Sequence, residues 1–201
     1  MAENLFKQAG LQEVSSRAGA GWRTPIAVVA ATGLIALCAH IAVPLGFTPV
    51  PVSMAPFAVL LIGLLFSPRA AFAALALYLA EGAAGLPVFA PNALGGIAQL
   101  LGPTGGYLFA YPFAATLASG LCRYARRGFF AALVGASLAG MLILISGATW
   151  LGILTGAKFP VVFAQSVTPF LPGDLMKVIA AASCVSIFDS FRGSSRDRVR
   201  P

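Results

Sequence analysis

The chain has 201 residues, 59% hydrophobic and only 9% charged, with a formal net charge of +7. Soluble domains carry about 25% charged residues, so a water-soluble globule of this length is excluded and an integral membrane protein is indicated. The positive charge does not point to nucleic acid, because the bases sit in tails and short connections without interleaved aromatics.

Residues 1–22 are polar, with Glu3, Lys7, Glu13 and Arg17 and no apolar core. They read as a cytoplasmic tail and not as a secretory signal. About twenty apolar residues cross a bilayer. The first predicted span is Pro25–Val43, stopped by Pro44. Its Ala27 and Ala31 are small residues at i and i+4, which let another helix approach closely. They read either as ordinary membrane-helix composition or as a docking face for a partner subunit. The second span is Val52–Phe66, ended by Ser67-Pro68-Arg69, and the third is Ala70–Ala84. A Gly/Pro-rich connection over Gly85–Thr104 leads to the fourth span, Gly105–Cys122, closed by Arg123, Arg126 and Arg127. Phe129–Leu151 is the fifth and Pro172–Phe188 the sixth. Pro172 suits a first helical turn, where a proline loses no intrahelical hydrogen bond. Residues 23–190 thus form one six-helix membrane domain, followed by a basic tail over 191–201.

Cytoplasmic segments carry the excess of Lys and Arg. With the amino terminus inside, the inner segments hold Lys7, Arg17, Arg23, Arg69, Arg123, Arg126, Arg127, Arg192, Arg196, Arg198 and Arg200. The outer segments hold Lys158, with Lys177 at the outer end of the last span. The fold class expected is therefore all-α, with six transmembrane helices and both termini cytoplasmic. Irregular backbone at a membrane persists only where protein covers it or it lines a wet cavity. The outer connections, Leu45–Pro51, Gly85–Thr104 and Gly152–Leu171, are accordingly expected to fold over a pocket.

Asp174 and Lys177 stand three residues apart at the head of the sixth span. Positions i and i+3 share a helix face, and a charge at the bilayer centre costs about 2.5–3.5 kcal/mol on insertion scales. The two residues either neutralise each other or hold a ligand, Lys177 attracting a carboxylate and Asp174 accepting N–H donors. The block from Gly85 through Phe89, Asn92, Gly95 and Gly96 to Gly102-Pro103-Thr104-Gly105-Gly106-Tyr107 combines glycines with amide groups at Asn92 and Gln99. Such a block can expose backbone donors to a ligand. His40 reads as a packing residue, Glu81 as a snorkelling or site residue, and Lys158 as facing external water. The three cysteines, Cys38, Cys122 and Cys184, have no Cys-x-x-Cys spacing and indicate neither metal nor disulfide framework. No Gly-x-Ser-x-Gly, His-x-x-x-His or phosphate-loop motif is present, so the chain is not expected to be an enzyme or to hydrolyse ATP itself.

Three blocks together resemble the BioY family, the biotin-specific substrate-capture (S) component of energy-coupling-factor (ECF) transporters. They are Phe47-Thr48-Pro49-Val50-Pro51-Val52-Ser53, then Gly85-Leu86-Pro87-Val88-Phe89 through Gly102–Tyr107, and Pro169-Phe170-Leu171-Pro172-Gly173-Asp174-Leu175-Met176-Lys177. The resemblance implies a multi-pass protein of the bacterial cytoplasmic (inner) membrane that binds biotin near its outer face and needs no cofactor. It implies a lid built from Phe47, Thr48, Pro49, Val50, Pro51 and Ser53. Phe89, Asn92, Gly95, Gly96, Thr104, Gly105, Gly106, Tyr107, Asp174 and Lys177 would line the site. A membrane coupling subunit and two ATPase subunits would supply energy, docking at the Ala27/Ala31 face of the first span. One departure lies in the lid, where relatives often carry Thr-Leu-Gln and this chain reads Ser53-Met54-Ala55. Two other readings compete: the same fold with a different small vitamin, and a self-sufficient proton-coupled transporter using Glu81, Asp174 and His40.

Overall fold

The computed structural model describes residues 23–91, 94–125 and 128–197, with side chains placed for 25–190 of these. The expectations for residues 1–22, Asn92, Arg126, Arg127, Arg198 and Arg200 lie outside the described residues. The described residues are mostly helical, with one two-stranded exception. Helix α1 (Arg23–His40) leads into strands β1 (Ala42–Val43) and β2 (Val52–Ser53). These pair antiparallel, Ala42 opposite Ser53 and Val43 opposite Val52. Then follow α2 (Ala55–Leu65), α3 (Pro68–Ala83), α4 (Gly96–Leu101), α5 (Gly105–Tyr124), α6 (Phe129–Thr155), α7 (Phe159–Ser166) and α8 (Leu171–Asp197).

The sequence signals that bound these helices act as expected. Ser67 caps α3, its hydroxyl accepting from the Ala70 N–H at 3.4 Å, with Pro68 in the first turn. Gly156 ends α6 in the left-handed conformation with φ of 62°. Differences fall in the outer connections. The second span starts at Ala55 and not at Val52, because Val52 and Ser53 pair with β1 instead. The two long outer connections are not wholly irregular: they contain α4 and α7. α6 runs to Thr155, one turn beyond the predicted end, and α8 continues through residue 190 to Asp197.

α5 is the central helix, packed against α6, α3 and α2, while α8 lies against α6 and α2. Small residues make these crossings. Ala114, Ala115, Ala118, Ala132, Ala136 and Ala139 are wholly buried. A Cβ added at Gly63 would lie 2.7 Å from the Ala115 carbonyl oxygen, so α2 and α5 touch backbone to backbone. Small-residue faces of this kind are how helices associate where water does not drive them together. Ser119 of α5 donates to the Phe66 carbonyl at 2.6 Å, satisfying the exposed end of α2.

Outward, the surface is apolar: Leu37, Phe113, Ile145, Ile153 and Met176 are all more than half exposed. Among the described residues, α6 and the Leu171–Ser190 part of α8 are long and apolar enough to cross a membrane. Pro25–His40 and Ala55–Leu65 are shorter apolar helices.

Candidate ligand cavity

The start of α8 sets the polar centre. Asp174 occupies its first turn, where its N–H donates to the Phe170 carbonyl at 2.8 Å. One turn on, Lys177 Nζ donates to Asp174 Oδ1 at 2.8 Å. The lysine side chain is 6% exposed and the aspartate 18%. Both side chains line a cavity of about 60 Å³ that opens to the outside.

Several elements wall it. Val50, Pro51 and Ser53 come from the segment between α1 and α2, and Phe170 and the ion pair from the head of α8. α5 contributes Thr104, Tyr107, Leu108 and Tyr111, and α6 contributes Ile143 and Leu144. Tyr78 of α3 and Gln99 of α4 close the remaining sides. The cavity is thus mostly apolar and aromatic, with a buried acid and base at one place.

The Tyr107 ring is fixed at both ends. Its hydroxyl donates to the Ser166 carbonyl at 2.8 Å, and its ring fills the space beside Gly147, where a Cβ would lie 2.2 Å from the ring. Thr48 donates to the adjacent carbonyl, Gln165, also at 2.8 Å, and accepts from the Val50 N–H at 3.3 Å. The end of α7 therefore anchors both the aromatic wall and the segment over the cavity. Ser53 Oγ accepts from the Ala55 N–H at 3.1 Å, which ties that segment to the start of α2.

The predicted site residues divide. Val50, Pro51, Ser53, Thr104, Tyr107, Asp174 and Lys177 line the cavity together. Thr48 is buried, whereas Phe47 and Pro49 are exposed. Phe89 stands behind the wall, edge-on to Tyr78 at 5.4 Å and seated over Gly82. Gly105 and Gly106 do not line the cavity. They bring α5 against the Leu100 carbonyl and Trp150, and Trp150 Nε1 donates to the Gly102 carbonyl at 2.9 Å. Gly95 and Gly96 take φ of 68° and 58° at the start of α4, in open space, and set the turn that carries Gln99. Asn92 lies outside the described residues.

Tyr78, Tyr111, Ile143 and Leu144 were not singled out in the sequence, because in an apolar span they read as core. The signal was the hydroxyl, since a tyrosine oxygen inside a membrane helix needs a partner. Tyr78 finds one in the Val88 carbonyl at 3.1 Å. Glu81, His40 and Asp174 do not form a chain. Glu81 accepts from Thr32 at 3.2 Å, His40 Nδ1 donates to the Ala36 carbonyl at 2.8 Å, and Asp174 holds Lys177. Away from the cavity, Ala27 and Ala31 line an apolar groove between α1 and α2, with Leu61, Ile62 and Leu65 opposite.

Comparison with known proteins places this architecture. Residues 11–192 match the BioY family. The probable biotin transporter BioY of Pyrococcus horikoshii is 37% identical over 166 residues, 81% of this chain and 91% of that protein. Biotin transporter BioY2 of Lactococcus lactis is 34% identical over 146 residues, 73% of this chain and 79% of the relative. In three dimensions the fold superimposes with a TM-score of 0.79 on the S-component for biotin from an ECF-type ABC transporter. That likeness covers 86% of this chain and 93% of the other at 25% identity. The chain belongs to the BioY family.

Proposed function

We propose that this chain is the biotin-binding S component of an ECF-type transporter and mediates biotin uptake across the cytoplasmic membrane. The observation that carries the reading is the Asp174–Lys177 pair buried at one place in an otherwise apolar, aromatic cavity. Biotin has a matching division, a ureido ring with two N–H donors and one carbonyl acceptor, joined to an apolar thioether ring and chain. Because Lys177 is already neutralised by Asp174, the pair presents an acceptor oxygen and ammonium donors side by side without net charge. That suits the neutral ureido group better than the ligand's carboxylate.

In this reading α1, α2, α3, α5, α6 and α8 are the six spans, with both termini cytoplasmic and the cavity at the outer side. α2, 11 residues and so about 17 Å long, does not cross a ~30 Å hydrocarbon core alone; the paired segment before it completes the passage. The domain comprises residues 23–190. The coupling subunit docks in the groove beside Ala27 and Ala31, and the ATPase subunits supply the energy. The segment over 47–53 is the lid, held down by Thr48.

Calorimetric titration of the detergent-purified chain tests this. Biotin is expected to bind tightly and biotinamide to compete with it. Lipoic acid, which has the acid tail but no ureido ring, is expected not to compete. Lipoic acid displacing biotin as well as biotinamide does would show that recognition does not need the ureido ring and would remove it from the pair. No binding of biotin would sink the ligand assignment altogether. A kinetic result is expected as well. Thr48→Val removes both hydrogen bonds of the hydroxyl, to the Gln165 carbonyl and from the Val50 N–H, each worth about 0.5–1.5 kcal/mol, so biotin should dissociate at least about 5-fold faster with the association rate nearly unchanged. Equal dissociation rates measured by ligand chase would deny the lid its latch.

A further inference from the structure

We infer that Gln99 binds the carboxylate end of the ligand and sets the specificity of the cavity for an acid over its amide. The inference rests on the biotin reading above and extends it to a residue with no assigned role. Gln99 is 97% buried, at 3% exposure, yet lines the cavity. Its Oε1 accepts the Gly95 N–H at 3.3 Å. Only the amide oxygen can accept, so the orientation is fixed and Nε2 carries two N–H donors on the other side. Among the described residues Nε2 forms no hydrogen bond, and no fully buried side-chain nitrogen or oxygen lacks a partner. Nε2 therefore opens onto the cavity, where its two donors meet whatever occupies it.

Position along α5 and α6 says which end of the ligand that is. Thr104, at the head of α5, donates to the Gln99 carbonyl at 3.5 Å and marks the Gln99 end. On the facing helix α6, Trp150 donates to the Gly102 carbonyl beside Gln99, whereas Ile143 lines a second pocket with Asp174 and Lys177 and marks the ion-pair end. Seven residues of α6 separate Ile143 from Trp150, about 10 Å at 1.5 Å per residue. With the ureido ring at Asp174 and Lys177, the extended acid chain points along α6 toward Gln99. Among the described residues Lys177 is the one cation lining the cavity, and its charge is balanced. The carboxylate is thus met by neutral N–H donors, whose bonds to an anion are charge-assisted.

Titration of biotin and biotinamide into the wild type, Gln99→Glu and Gln99→Met tests this. Glu keeps an oxygen for the Gly95 N–H but sets a carboxylate against the ligand's own. Biotin affinity should fall at least ~100-fold, since like charges juxtaposed in an interface cost several kcal/mol. Biotinamide, able to donate to the new carboxylate, should change by no more than about 3-fold. Gln99→Met, which removes the donors and keeps the volume, should weaken biotin roughly tenfold with the larger loss on biotin. Equal losses for both ligands, or unchanged biotin affinity in both variants, would overturn the role of Gln99. A wild type that binds neither ligand would instead overturn the biotin reading, and this inference with it.

Discussion

Replacing Asp174 with asparagine is expected to weaken biotin binding at least tenfold and to lower the melting temperature of the ligand-free chain. Lys177 Nζ has Asp174 as its partner at 2.8 Å and is 6% exposed. Asparagine leaves that ammonium in an apolar cavity without its counter-charge. For fully buried pairs, removing one partner costs about 3–5 kcal/mol; the cavity mouth and the 18% exposure of Asp174 put this site below that range. Lys177→Ala should weaken binding by about 1.5–3 kcal/mol, the worth of a hydrogen bond to a charged group. The double variant Asp174→Leu/Lys177→Met separates the two effects. An apolar replacement of both partners is often neutral or stabilising, so it should melt near the wild type while failing to bind biotin. Calorimetry and a melting curve on the same preparations decide the matter. Unchanged affinity in Asp174→Asn would remove the pair from the ligand contacts.

Gly147→Ala should damage the site although Gly147 does not line it. The added Cβ would sit 2.2 Å from the Tyr107 ring, where carbon atoms at rest stay about 3.5–4.0 Å apart. The ring is held by its hydroxyl bond to Ser166 and by Phe170 at 6.1 Å between centroids, so its open side is the cavity. Relief comes by breaking the hydrogen bond or by pushing the ring into the cavity. Overpacking of this kind costs about 1–3 kcal/mol, and the lost hydrogen bond about 0.5–1.5 more. Ligand-free melting should drop by several degrees, and biotin affinity should fall at least tenfold. Adding Tyr107→Leu to Gly147→Ala should restore melting but not binding. Wild-type melting and affinity in Gly147→Ala would show that Tyr107 is not seated as described.

Much of the helical layout was legible because its signals are local. The apolar run of α6, the Ser67-Pro68 start of α3 and the basic cluster after Cys122 each bound a helix within a few residues. α4 and α7 were not seen, since six and eight residues are too few for a periodic apolar pattern to declare itself. The β1–β2 pair was missed for the same reason, at two residues a strand. In the cavity, Asp174 and Lys177 were visible because charge in an apolar span demands explanation. The glycines misled in a specific way. Read as exposers of backbone donors, Gly105 and Gly106 turn out to admit Leu100 and Trp150, just as Gly82 admits Phe89. Those partnerships join residues distant in sequence, and nothing at the glycine itself announces them.

The backbone contact of α2 with α5 at Gly63, repeated between α5 and α6 at Gly135, brings three cavity-bearing helices within touching distance of one another's main chains at those two points. Helices joined that closely move as one body. Their wall of Tyr107, Leu108, Tyr111, Ile143 and Leu144 therefore keeps its shape whether or not a guest is inside. Preorganisation of this sort lowers the entropic cost of association, and it lets a chain of this size hold a scarce nutrient at low concentration without a large conformational change.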